Sequence, residues 1–125
     1  MARLFLVEDH PIMRQTLVTL LEREKDLVVC GEAETGEEAL QKLGEVAANL
    51  VLIDMSLPGM DGLMLLTEVR ARWPQLPCLV LSGYDEPVYV NQVLAAGAAG
   101  YVPKHRVHGI VPAVRRALEG NHRSN

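Results

Sequence analysis

VLIDMSLPGMDG, residues 51–62, decides the fold. Val51, Leu52 and Ile53 are a short apolar run that stops on a carboxylate, Asp54. A brief, continuously apolar stretch reads as a strand covered on both faces. Pro58 and Gly59 then turn the chain, and Asp61 stands where a side chain caps a helix. Beyond it Leu65, Leu66, Val69 and Trp73 share one helical face. The unit is strand, acid, turn, helix.

That unit recurs outward in both directions. Apolar bursts fall at LFLV (4–7), LVVC (27–30), LVLI (50–53), CLVL (78–81) and GYV (100–102). Helical periodicity follows each: Met13, Leu17, Leu20 and Leu21; Leu40, Leu43 and Ala47; Val90, Val93 and Leu94; Ile110, Val111, Val114 and Leu118. Pro11 suits a first helical turn, Thr35 to Glu38 has capping-box spacing, and Asp85 is placed to cap the fourth helix. Gly97 and Gly120 are placed to stop the fourth and fifth helices. Five strands, each followed by a helix, predict an α/β fold with a doubly wound parallel sheet, because each right-handed crossover must cover a face. One domain is expected over residues 1–120, with the polar residues 121–125 reading as the start of a linker.

Composition fits this. The chain has 125 residues, 49% of them apolar, enough for one real core. No apolar stretch reaches the length of a membrane span, and the four apolar residues before Glu8 are too few for a signal-peptide core. Cys30 and Cys78 lie in apolar runs without CxxC spacing and read as reduced core thiols of a cytoplasmic protein. A net charge of −4 argues against nucleic-acid binding by this segment itself.

The polar residues fall at strand ends. Glu8 and Asp9 follow the first strand, Asp54 the third, Ser82 the fourth and Lys104 the fifth. In an open parallel sheet that rim is where ligands bind. Three carboxylates brought together repel one another, so a positive partner is required. Mg²⁺ suits an all-oxygen set that leaves room for water, and Lys104 adds a fixed charge. Asp54 is then placed to act as a nucleophile toward phosphorus, and the Ser82 hydroxyl to bond an added phosphoryl oxygen. Singly, Asp9 reads as a helix cap, Ser82 as a turn residue, Lys104 as a surface lysine and Tyr101 as a strand aromatic; their joint placement at strand ends favours the site.

The segments VEDHP, CGEAETGEEAL, VLIDMSLPGMDGL, LSGYDEPVYV, LAAGAAGYVPK and AVRRALEG resemble a response-regulator receiver domain of two-component signalling, of the NarL/FixJ branch fused to LuxR-type helix-turn-helix domains. The resemblance covers essentially the whole chain. It implies strand order 2-1-3-4-5 and Asp54 as phosphoacceptor. Glu8, Asp9 and Asp54 would hold Mg²⁺ together with the backbone carbonyl of Ser56. It further implies Ser82 and Tyr101 as switch residues, Lys104 as the active-site lysine, and a sensor histidine kinase as phosphodonor. Phosphorylation would draw Ser82 toward the phosphoryl group and turn Tyr101 inward. This would reshape the face of the fourth helix, fifth strand and fifth helix (between Glu86 and Glu119) to control homodimerisation or an output domain. Ser56 and Tyr84, each two residues past a site residue, would tune phosphoryl loss, with Tyr84 shielding the water path.

One departure is His105 where many receivers have proline after the lysine; Pro103 precedes it instead, which leaves the loop's shape open. A dehalogenase-type phosphatase would want a second acid at the place of Ser56 and a cap domain. A flavodoxin-like carrier would want a glycine- and hydroxyl-rich loop where EDHP stands. Neither pattern is present, so no turnover enzyme is expected. The remaining alternative is a receiver-like interaction module that is not phosphorylated. Whether the protein continues into a DNA-binding domain stays open.

Overall fold

Alternate residues of the central strands face opposite layers, and this builds two cores. Phe5, Val7, Val51, Ile53, Cys78 and Val80 pack on one face of the sheet; Leu4, Leu6, Leu50, Leu52, Leu79 and Leu81 pack on the other. The computed structural model describes residues 1–83 and 87–123, with the side chains of 121–123 not described. Tyr84, the expected cap Asp85, the boundary residue Glu86 and the last two residues of the expected tail lie outside the described residues. The elements are β1 Ala2–Val7, α1 Pro11–Glu22, β2 Leu27–Ala33, α2 Gly36–Leu43, β3 Leu50–Asp54, α3 Gly62–Arg72, β4 Cys78–Ser82, α4 Pro87–Ala95, β5 Gly100–Pro103 and α5 Ile110–Arg123. A short 3-10 helix, Lys104–Gly109, joins β5 to α5. The strands pair in parallel in the order 2-1-3-4-5, as the resemblance implied. Helices α1 and α5 cover one face, and α2, α3 and α4 the other.

Several helix boundaries follow the expected chemistry. Pro11 opens α1, the Asp61 carboxylate accepts the Met64 N–H at 2.9 Å, and Gly97, at φ 105°, follows the end of α4 in a conformation that favours glycine. The Thr35 box is only half made. Thr35 Oγ1 accepts the Glu38 N–H at 3.1 Å, but Glu38 Oε1 takes the N–H of Glu34 rather than that of Thr35.

Other expectations are corrected. Gly120 does not end α5, which runs to Arg123: it lacks the positive φ of a terminating glycine, and a helix tolerates an interior glycine at a cost of about 1 kcal/mol. Ala47 lies beyond the end of α2 and is exposed; Ala39 and Leu43 are the buried residues there, because Gly44 already closes the helix. Leu94 is exposed, leaving Val93 as the buried residue of α4. Asp54 and Ser82 are the last residues of their strands rather than the first beyond them. Cys78 is buried, which pushes its thiol up to about 12, whereas Cys30 is only half-buried; both are free thiols. Among the described residues every peptide bond is trans, including the one after Lys104, and no helix is long and apolar enough to cross a membrane.

Candidate functional site

The strand order puts β1 beside β3, and their connections leave toward opposite faces of the sheet. The C-terminal ends of these two strands flank the switch point where a ligand crevice forms. Glu8 and Asp9 stand at the tip of β1 and Asp54 at the tip of β3. Gly62 brings the start of α3 against the Asp54 carbonyl: a Cβ there would come within 2.7 Å of that oxygen and 2.4 Å of the Met55 Cα. Only glycine allows the approach.

The Asp54 side chain is fully buried and held from two sides. Its Oδ1 accepts the Ser56 N–H at 3.0 Å, and its Oδ2 accepts from Lys104 Nζ at 3.1 Å. Lys104 Nζ also stands 4.0 Å from Glu8 Oε1. Glu8 is 1% exposed, and its carboxyl is pushed up from the usual 4.5 to about 7. Burial is the main cause, followed by the neighbouring Asp54 carboxylate; the His10 N–H and Lys104 pull the other way.

As charged groups, the acids are under-satisfied. Glu8 Oε1 and Asp9 Oδ1 are buried and have no hydrogen-bond partner. Buried polar atoms normally find one. His10 Nδ1 lies 3.2 Å from both Glu8 Oε2 and Asp9 Oδ1, but only the contact with Glu8 has hydrogen-bond geometry. Ligand atoms of Glu8, Asp9, His10 and Asp54 all fall within 4.8 Å of one another, a grouping able to hold a metal ion. The three carboxylates suit a hard divalent cation. Asp9 does not cap α1: the cap position is His10, and no side chain bonds there.

Ser82 is buried at the tip of β4, next to β3, and Tyr101 is half-buried in β5 against the core shared with α2, α3 and α4. The Ser56 side chain is exposed. Two neighbours were not anticipated. His10 joins the acids, and Arg14 reaches back from α1 to the Glu8 carbonyl. The signal for both lay in their place within the first turn after the acidic pair.

The family model described as the response regulator receiver domain matches residues 4–114. The chain belongs to that family. It is the receiver domain of a two-component response regulator. It is 40% identical to the transcriptional activator protein ExaE of Pseudomonas putida, across 94% of this chain and 56% of the relative. It is 36% identical to the DNA-binding transcriptional activator DevR/DosR of Mycobacterium tuberculosis, across 83% of this chain and 48% of the relative. The receiver thus spans about half the length of these curated relatives. Among solved structures, a LuxR-family two-component response regulator from Aurantimonas sp. superposes with a TM-score of 0.90 at 31% identity, covering 95% of this chain and 86% of that one.

Proposed function

We propose that this receiver takes a phosphoryl group from the phosphohistidine of a sensor histidine kinase onto Asp54, in the cytoplasm. A carboxylate oxygen of Asp54 attacks phosphorus, the P–N bond breaks, the imidazole leaves, and an aspartyl phosphate remains. The observation that carries this reading is one fully buried carboxylate set against an ammonium, with two further buried acid oxygens left without donors beside it. Glu8, Asp9, Asp54 and the Ser56 carbonyl would hold Mg²⁺. When bound, the cation offsets charge on the phosphoryl oxygens. Lys104 supplies fixed positive charge on the other side, and the short Ser82 hydroxyl bonds a phosphoryl oxygen.

The added charge, about −1.5 to −2, then biases Ser82 and Tyr101 and reshapes the face formed by α4, β5 and α5. That face controls homodimerisation. The receiver unit, read from the sequence as residues 1–120, takes in the rest of α5 to Arg123, and the similarity to about half of DevR/DosR, a DNA-binding transcriptional activator, supports a DNA-binding output domain in the same regulator. Ser56 and Tyr84 set how long the phosphoryl group lasts. The protein acts as a switch, not as a turnover enzyme.

Incubation with acetyl phosphate and Mg²⁺ should label the chain once, and Asp54→Asn should abolish the label. Beryllofluoride should shift amide resonances at Ser82 and Tyr101 only when Mg²⁺ is present. Labelling of Asp54→Asn equal to the parent would sink the assignment. A parent that takes neither label nor beryllofluoride would be a module that works without phosphorylation.

A further inference from the structure

We propose that Arg14 is a positioning residue for the cation site, fixing the peptide between Glu8 and Asp9 and tying it to β2 and α2. The inference rests on the reading of that site given above. Arg14 is only 19% exposed and directs its guanidinium three ways. Nη1 donates to the Glu8 carbonyl at 2.8 Å, Nε lies 3.2 Å from Glu32 Oε1, and Nη2 lies 3.3 Å from Glu34 Oε1. The network then continues into α2. The Glu34 N–H donates to Glu38 Oε1 at 2.7 Å, Lys42 Nζ lies 2.9 Å from Glu38 Oε2, and Lys42 donates to the Glu32 carbonyl at 2.9 Å.

Glu8 is thereby held by both backbone groups: its N–H donates to the Ala33 carbonyl at 3.0 Å, and its C=O accepts from Arg14. The Glu8 carbonyl belongs to the peptide that sets the relative directions of the two side chains whose oxygens lack donors. A partner that orients a metal ligand is worth about 10- to 100-fold in affinity. The planar fork matters, because a lysine ammonium cannot serve a carbonyl and two carboxylates in this divergent arrangement.

Simple charge compensation makes the opposite forecast. A cation beside a cation site repels the incoming ion, so removing Arg14 on charge grounds alone would tighten Mg²⁺ binding. Here Glu32 and Glu34 already offset the guanidinium, and its nearest bond in the site is to a carbonyl rather than a carboxylate.

The test is a titration of the full chain with Mg²⁺ alone, followed by backbone amide shifts, for the parent, Arg14→Gln and Arg14→Lys. Positioning predicts that both variants bind about tenfold more weakly, with acetyl phosphate labelling recovered at saturating Mg²⁺. Tighter binding by Arg14→Gln, or parent-like binding by Arg14→Lys, would overturn the proposal. So would a lowered melting temperature with unchanged Mg²⁺ affinity, the mark of a purely structural role. If Arg14→Gln fails to fold, Arg14→Lys decides. A parent that takes up no Mg²⁺ would instead bring down the reading of the site itself, and this inference with it.

Discussion

The two ends of the sheet are built from the same strands and treat their polar groups in opposite ways. At the N-terminal edge Arg3 and Asn49 close on each other. The Arg3 N–H donates to Asn49 Oδ1, the Asn49 N–H donates to the Arg3 carbonyl, and Arg3 Nε donates to the Ala47 carbonyl, each at 2.7 Å. A groove of about 450 Å³ opens there beside Trp73 and Leu76, yet none of its lining residues has a buried side-chain polar atom lacking a partner. At the C-terminal edge buried Glu8 Oε1 and Asp9 Oδ1 lack partners and an ammonium sits against Asp54. Satisfied polar groups hold the fold at one end, and unsatisfied ones mark the site at the other.

The sharpest way to break this contrast is Asp9→Asn. If the orphaned oxygens exist for a cation, the variant should lose Mg²⁺ affinity by at least the roughly 100-fold that losing a ligand's orienting partner can cost, measured by amide shifts. It should also melt higher than the parent without metal, because one of the mutually repelling charges is gone. Unchanged Mg²⁺ affinity would mean that the oxygens are not ligands.

The next largest effect concerns pH. Glu8 is raised from 4.5 to about 7 in the fold, so between these values the folded, metal-free chain binds a proton that the unfolded chain has released. Its stability should therefore fall as pH rises from 4.5 to 7 and level off above, by a few kcal/mol at most. Mg²⁺ affinity should move the other way, climbing through about pH 7 as Glu8 gives up its proton. Denaturant melts and Mg²⁺ titrations across pH 5–8 (a window chosen to bracket the change) would check both, with Glu8→Gln as the variant that flattens each curve.

The sequence revealed one end of the sheet more fully than the other. The inner strands β1, β3 and β4 were legible because both faces are covered, so each holds a continuous apolar run whose end reports the rim directly; the edge strands are only half-buried, and β2 runs on through Gly31 and Glu32 beyond its apolar residues. Asp54, Glu8, Asp9, Ser82 and Lys104 could all be placed that way. Arg14 could not: strand endings do not say which side chain folds back onto a backbone carbonyl six residues earlier. Helix ends were similarly obscured. Gly120 looks like a stop, but termination needs a left-handed backbone that its surroundings do not impose. Leu94 fits the apolar period of α4 and is nevertheless exposed, since periodicity does not show how far a helix face is covered.

The smallest effect, at the N-terminal edge, tests whether the two ends are independent. Asn49→Ala removes the acceptor for the Arg3 N–H but leaves the backbone bond from the Asn49 N–H to the Arg3 carbonyl in place. Both residues are exposed, so water can replace the lost oxygen. The expected cost is about 0.5–1 kcal/mol of stability, read from the denaturant midpoint. Mg²⁺ affinity and labelling at Asp54 should not move, because the change lies at the far end of β1 and β3 and touches neither Glu8 nor Asp54. A several-fold loss of Mg²⁺ affinity in this variant would show that the strands transmit strain along their length. The site would then depend on how the whole of β1 is held, not only on the groups gathered at its tip.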